Sequence, residues 1–177
     1  MRALKLLIFG FGLLFLLMVV IGVFMPRRWE ASATRELAAA PERVQAVLED
    51  PTRWGAWMPW SSAKDPSLVV SYAGPTTGKG SQLTFAGDLL GKGSLTIMET
   101  RPAGGIDYEL RFQGVDQPTR GSIVLEASAL GTRATWTDGG ELGFDPIPRL
   151  FAGLFEAKLE QDFGEALGRL EGVAREK

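Results

Sequence analysis

Residues 106–112 read Ile106-Asp107-Tyr108-Glu109-Leu110-Arg111-Phe112, an unbroken alternation of apolar and charged side chains. Successive residues of a strand point to opposite faces, so this segment is a strand with one covered face and one wet face. The same period extends outward in both directions. Upstream, Leu95 and Ile97 share a face with Glu99, while Thr96 and Met98 take the other; before them come Leu83 with Phe85, then Leu68, Val70 and Tyr72. Downstream, Ile123 and Leu125 precede Ala134 and Trp136, which stand opposite Arg133, Thr135 and Thr137. Glycine-containing turns separate these runs, which predicts an antiparallel meander with one solvated face.

An apolar sheet face needs a cover, and the end of the chain offers one. Asp145 caps a helix that starts at Pro146. From there Ile147, Leu150, Phe151, Leu154, Phe155, Leu159, Phe163, Leu167 and Leu170 recur at three and four, with charges on the opposite side. Gly164, Gly168 and Gly172 lie four apart within it, which points to close approach of helix to sheet or to fraying near its end. Before the meander, Glu30–Leu37 reads as a first strand. Pro41 opens a short helix carrying Val44, Val47 and Leu48; Ala40 leaves it without a side-chain cap, and Asp50-Pro51 ends it. The run PTRWGAWMPW (51–60) then places Trp54, Trp57 and Trp60 three apart, and a helical turn brings the rings toward one side.

The beginning of the chain obeys different physics. From Leu6 to Met25 there is no charged residue. At about 1.5 Å per residue such a helix spans about 30 Å, the thickness of a bilayer core. Arg2 and Lys5 flank one end, Arg27 and Arg28 the other, and Trp29 follows as a headgroup-level ring. Val23-Phe24-Met25-Pro26 provides no small-x-small cleavage pair, which favours an uncleaved anchor over a cleaved signal. The reading is therefore an anchor over 1–28 and one domain over 29–177. The charges at the amino terminus place that domain outside the cytoplasm by a narrow margin.

Composition removes many functions. Nineteen basic and 21 acidic residues give a net charge of −2 with no basic stripe, so nucleic acid is not an expected partner. With no histidine and no cysteine, histidine-based triads, thiolate nucleophiles, disulfides and cysteine-ligated metals are excluded. No phosphate-loop, dinucleotide or calcium-loop pattern is present. No cofactor is expected.

The segments AAPERVQAVLEDPTRWGAWMPW (39–60), GKGSLTIMETRP, IDYELRF, GTRATWT and DFGEALGRLEG resemble, in that order, the START/Bet v 1-like (SRPBCC) superfamily. They are most similar to its bacterial polyketide cyclase/dehydrase-like group, whose members often carry one amino-terminal membrane span. The resemblance implies an α+β helix-grip fold, a curved antiparallel sheet of about six or seven strands around a long carboxyl-terminal helix, here preceded by a transmembrane helix. It also implies an apolar cavity between sheet and helix for a hydrophobic small molecule or lipid, and a single-pass protein of a bacterial inner membrane. It implies no shared catalytic set.

Alternation places Phe85, Ile97, Tyr108, Leu110, Phe112 and Trp136 on the sheet side of that cavity. Leu154, Phe155 and Leu159 come from the helix, and Trp57 and Trp60 from the tryptophan-rich turn. Three functions fit: a membrane-anchored binding module, a cyclase or dehydratase using carboxylates and Tyr108, and a membrane-tethered interaction or chaperone-associated module. Glu99, Asp88 and Glu141 are the carboxylates considered for catalysis, with Glu99 expected at the rim or paired with Arg101 or Arg120. No residue is assigned a catalytic role.

Overall fold

The computed structural model describes Arg2–Glu176, with side chains from Leu4 onward. Met1 and Lys177, the outer limits of the expected division, and the Arg2 side chain lie outside the described residues. An apolar helix α1 (Arg2–Phe24) leads through Met25–Arg27 into strand β1 (Arg28–Leu37). Helix α2 (Pro41–Leu48) and a 3-10 turn (Pro51–Ala56) come after it. Next are six strands: β2 (Val69–Ala73), β3 (Gln82–Gly87), β4 (Gly91–Arg101), β5 (Gly105–Phe112), β6 (Thr119–Ser128) and β7 (Gly131–Glu141). The chain ends in α3 (Pro146–Leu150) and α4 (Ala152–Arg175).

The strands form one seven-stranded antiparallel sheet in the order β1-β7-β6-β5-β4-β3-β2. This is the helix-grip arrangement. Each hairpin pairs sequence neighbours, and β1 closes against the last strand, with Ala31 opposite Asp138 and Ala33 opposite Trp136. The period-2 pattern sets the inner face: Ala31, Leu95, Ile97, Ile106, Tyr108, Ile123, Ala134 and Trp136 are all buried. The carboxyl-terminal half of α4 lies on that face through Phe163, Ala166, Leu167 and Leu170.

Three local expectations change. The register shifts between Ile97 and Glu99, a bulge that moves Glu99 off the inner face. Its carboxylate is half-exposed and pairs with Lys79 at 2.5 Å, not with Arg101 or Arg120. Trp29 is the first inward residue of β1, so it is buried and packs edge-on against Phe155 at 5.0 Å; it does not stand as a free ring at the headgroups. The final helix is interrupted at Phe151, whose backbone departs from helical geometry. Of the three spaced glycines, only Gly168 faces a neighbour, the Arg35 guanidinium; Gly164 and Gly172 face open space, and α4 continues past them to Arg175.

Candidate functional site

The space beneath the middle of α4 is filled. Trp136 stacks on Phe163 with centroids 4.3 Å apart, and Trp57 meets Trp136 edge-on at 5.6 Å. Such aromatic pairs gain energy beyond their buried area, and Trp57, Trp136 and Phe163 are all fully buried. Trp57 is pinned by Arg169, whose Nε donates to its carbonyl at 3.0 Å. Ile97, Tyr108, Leu110 and Trp136 are therefore core residues around this stack.

The open volume lies to one side. Helix α4 packs on the β1 side of the sheet, and the inner face of β2, β3 and β4 lies beneath the segment after α2. Between them is an apolar cavity of about 220 Å³. The 3-10 turn and the loop leading out of it supply Trp54, Met58, Trp60 and the hydroxyl-bearing Ser61 and Ser62. The floor is made by Val70 and Tyr72 of β2, Leu83 and Phe85 of β3, and Leu95 of β4, with Leu68 beside them. Of the pocket residues expected from the sequence, this cavity brings together Trp60, from the tryptophan-rich turn, and Phe85, from strand alternation. Phe112 stands behind Phe85 at 5.7 Å, Leu159 is half-buried against the core, Phe155 is half-exposed against Trp29, and Leu154 is exposed.

Two local devices shape this cavity. Asp50 caps the 3-10 turn by accepting from Thr52 N at 3.0 Å, and Trp54 Nε1 donates to the Leu48 carbonyl, which locks the indole in place. On the other side, the Asp65 carboxylate accepts from Ser67 Oγ and from the backbone amides of Ser67, Leu89 and Leu90. The Ser67 hydroxyl, then the Leu90 amide, hold this carboxyl down to about 2. Asp65 thus ties the 61–68 loop to the β3–β4 turn and fixes one wall. Among the described residues, no carboxylate lines the cavity.

A buried polar chain sits elsewhere in the core and was not singled out by sequence reasoning. Trp136 Nε1 donates to Tyr108 Oη at 2.7 Å, and Tyr108 Oη donates to Asp138 Oδ2 at 2.9 Å. Gly139 N donates to the other Asp138 oxygen at 2.8 Å. Burial pushes the Asp138 carboxyl up to about 6, against the pull of these bonds. Burial, and then the Asp138 charge, raise the Tyr108 hydroxyl well above its ordinary value. A side chain at Gly121 would collide with the Tyr108 ring, so glycine there makes room for the phenol. Asp138 comes after Ala134 and Trp136 at period 2, and that phase was the signal available for it. The chain reaches neither the apolar cavity nor water: Asp138 is 2 % exposed and Tyr108 1 %.

A second, wider groove of about 560 Å³ lies where β1 and β6 begin and β7 ends, between Arg28, Glu30, Arg120, Glu141 and Glu156. It is open and charged, with Arg28 and Glu141 paired across it at 3.6 Å. Among the described residues no cluster of acidic side chains has the spacing to hold a metal.

Known proteins carry the same architecture. Protein CV1439 from Chromobacterium violaceum is 19% identical and superposes with a TM-score of 0.58, covering 84% of this chain and 98% of its own. SA2116 from Staphylococcus aureus, a protein of unknown function, is 8% identical with a TM-score of 0.64, covering 83% of this chain and 93% of its own. Ara h 8.0201 is 15% identical with a TM-score of 0.55, covering 83% and 97%. These likenesses establish the fold, and no curated protein matches the chain. The sequence profile described as "Polyketide cyclase / dehydrase and lipid transport" matches residues 28–175, from the first residue of β1 to the last of α4. The chain belongs to that family, and with it to the START/Bet v 1-like superfamily.

Proposed function

We propose that this protein is a membrane-anchored binding module that holds a hydrophobic small molecule or a single lipid chain in the cavity beneath Trp54 and Trp60. One observation carries the reading: an apolar, partly enclosed space remains beside a core that is otherwise closely filled. At about 220 Å³ it is smaller than the roughly 300–1,000 Å³ of drug-sized sites, so a ring system or short acyl chain fits better than a whole phospholipid. Ser61 and Ser62 supply hydroxyls at one wall for the polar end of such a guest. Release of water from Leu83, Phe85 and Leu95 drives entry.

The second half of the proposal is the tether. Helix α1 has an apolar stretch over Leu4–Phe24 with mean hydropathy 3.0, and its side chains face outward with almost no protein cover. That composition is compatible with a single-pass anchor or a signal sequence. The proposal takes it as an uncleaved anchor over 1–28 that keeps the 29–177 domain at a bacterial inner membrane, outside the cytoplasm. The lack of a cavity-lining carboxylate favours binding over a carboxylate-driven cyclase reaction.

Organic extraction of the purified full-length chain, followed by mass spectrometry, should recover a stoichiometric apolar molecule. Where the cavity is emptied, a fluorescent fatty acid should take its place, and Leu83→Trp, which fills the floor, should reduce that uptake at least about tenfold, a difference near 1.4 kcal/mol. Uptake unchanged in Leu83→Trp would remove the cavity from the proposal.

A further inference from the structure

At the start of the final helical region Phe155 rests on Trp29 of β1, but four apolar side chains beside it have little cover from the domain. Phe144, Ile147, Phe151 and Leu154 are 81 %, 45 %, 51 % and 73 % exposed. They cluster at the α3–α4 junction, with Ile147 on α3, Phe151 at the break and Leu154 in the first turn of α4, and together form an exposed ledge. The end of α1 is fastened to this ledge. Gly22 packs so closely on Pro146 that any side chain there would collide with the Pro146 carbonyl. Arg149 is buried and reaches across, donating Nη1 to the Val23 carbonyl at 3.4 Å and Nη2 to the Gly143 carbonyl at 2.5 Å. Val23 lies in the last turn of α1, where carbonyls have no intrahelical partner and a cation is favoured. The Arg27 guanidinium sits 4.6 Å above the Phe144 ring.

We propose that this ledge is a lipid-contact surface: Phe144, Ile147, Phe151 and Leu154 dip into the bilayer interface beside the point where α1 leaves it. The inference rests on the reading of α1 as an anchor, and continuity with α1 selects lipid as the occupant. A helix terminus bound directly to the exit of a membrane span cannot stand far from the headgroups. Apolar rings at that level gain by shallow burial at the boundary between headgroups and acyl chains. Charges around the ledge are mixed: Arg27 lies over Phe144, Asp145 follows it in the chain, and Arg28 and Glu156 line the adjoining groove, so the attraction is apolar and does not require anionic lipid. The ledge also fixes the tilt of the domain, because two attachment points replace one flexible tether.

The chain contains no cysteine, so single labels can be placed cleanly on the full-length protein. Leu14→Cys, Phe144→Cys, Leu154→Cys and Leu130→Cys, each carrying an environment-sensitive fluorophore, are reconstituted in phosphatidylcholine nanodiscs. Quenching is read from shallow nitroxide lipids, mid-chain nitroxide lipids and aqueous iodide. Leu130 is about as exposed as Leu154 but lies at the opposite end of β7. Labels at 144 and 154 should be quenched several-fold more by shallow nitroxide than the label at 130, and unchanged by added phosphatidylglycerol. The label at 14 should respond most to mid-chain nitroxide. If 14 is not quenched by lipid, the anchor reading itself fails. If 14 is quenched while 144 and 154 respond only to iodide, the ledge faces water and the inference is overturned. Protection from both quenchers would mean that protein, such as a second copy, covers the ledge, and would overturn it equally.

Discussion

The two halves of the last helical region are built from the same pattern and have opposite fates. Phe163, Ala166, Leu167, Leu170 and Ala174 are buried against the sheet, whereas Ile147, Phe151, Leu154 and Phe155 remain exposed or half-exposed. Both halves repeat apolar residues at three and four, and both carry charges on the other side. The difference lies in what stands opposite. The later half meets Trp136 and the inner face of β1; the earlier half touches only the start of β1, through Phe155 on Trp29, and leads toward the end of α1. Amphipathic periodicity announces that a stripe needs a cover without specifying the cover.

Truncation should separate the halves most sharply. Phe163→Ala removes the ring stacked on Trp136 and should cost about 3–5 kcal/mol, whereas Leu154→Ala should stay within about 0.5 kcal/mol, read by urea unfolding of the full chain in mild detergent. Equal losses would show that the earlier half is packed against the domain and would dissolve the contrast.

The buried chain beneath the later half provides the next test. Asp138 has a folded-state value of about 6 against an ordinary 3.8, so the folded protein holds a proton that the unfolded chain releases. Its contribution is fully present below about pH 4 and is lost as pH rises through about 6. A shift of that size corresponds to about 3 kcal/mol. Asp138→Asn should flatten the decline in stability across this window. A decline that persists in the variant would assign it to another group. Asp65 has the opposite sign: its contribution is present above about pH 4 and disappears as pH falls toward 2.

Smaller effects sharpen the comparison along α4. Gly164 faces open space within the buried half, so Gly164→Ala should raise the unfolding midpoint, by up to about 1 kcal/mol of helix propensity. A loss instead would reveal a contact at that position. Least of all, Glu99→Gln should change stability by about 0–1 kcal/mol, because its bond to Lys79 is solvent-exposed. A larger loss would return Glu99 to the interior.

Much of the architecture was legible because it rests on local rules. Period 2 in Ile106–Phe112 specified a strand and its inner face, Pro41 and Asp145 marked helix starts, and Asp50-Pro51 marked the end of α2. The candidate site was legible in part. Trp60 and Phe85 line the cavity, while Trp57, Tyr108 and Trp136 are drawn into the filled core. Alternation identifies which side of a strand is covered, but it carries no information on whether the cover is a side chain or a guest. The Asp138 partnership was missed because a carboxylate in an inward phase acquires meaning only when Tyr108, two strands away, is brought beside it.

Sequence alone therefore established the apolar first helix, the meander, the terminal amphipathic stripe and the family, since these depend on period, composition and order along the chain. Folding in three dimensions settled where α4 lies across the sheet, and hence that the middle is filled and the opening lies under Trp54 and Trp60. It also placed the earlier helical half against the end of α1. Packing of this kind depends on contacts between residues far apart in the chain, and no local pattern encodes them.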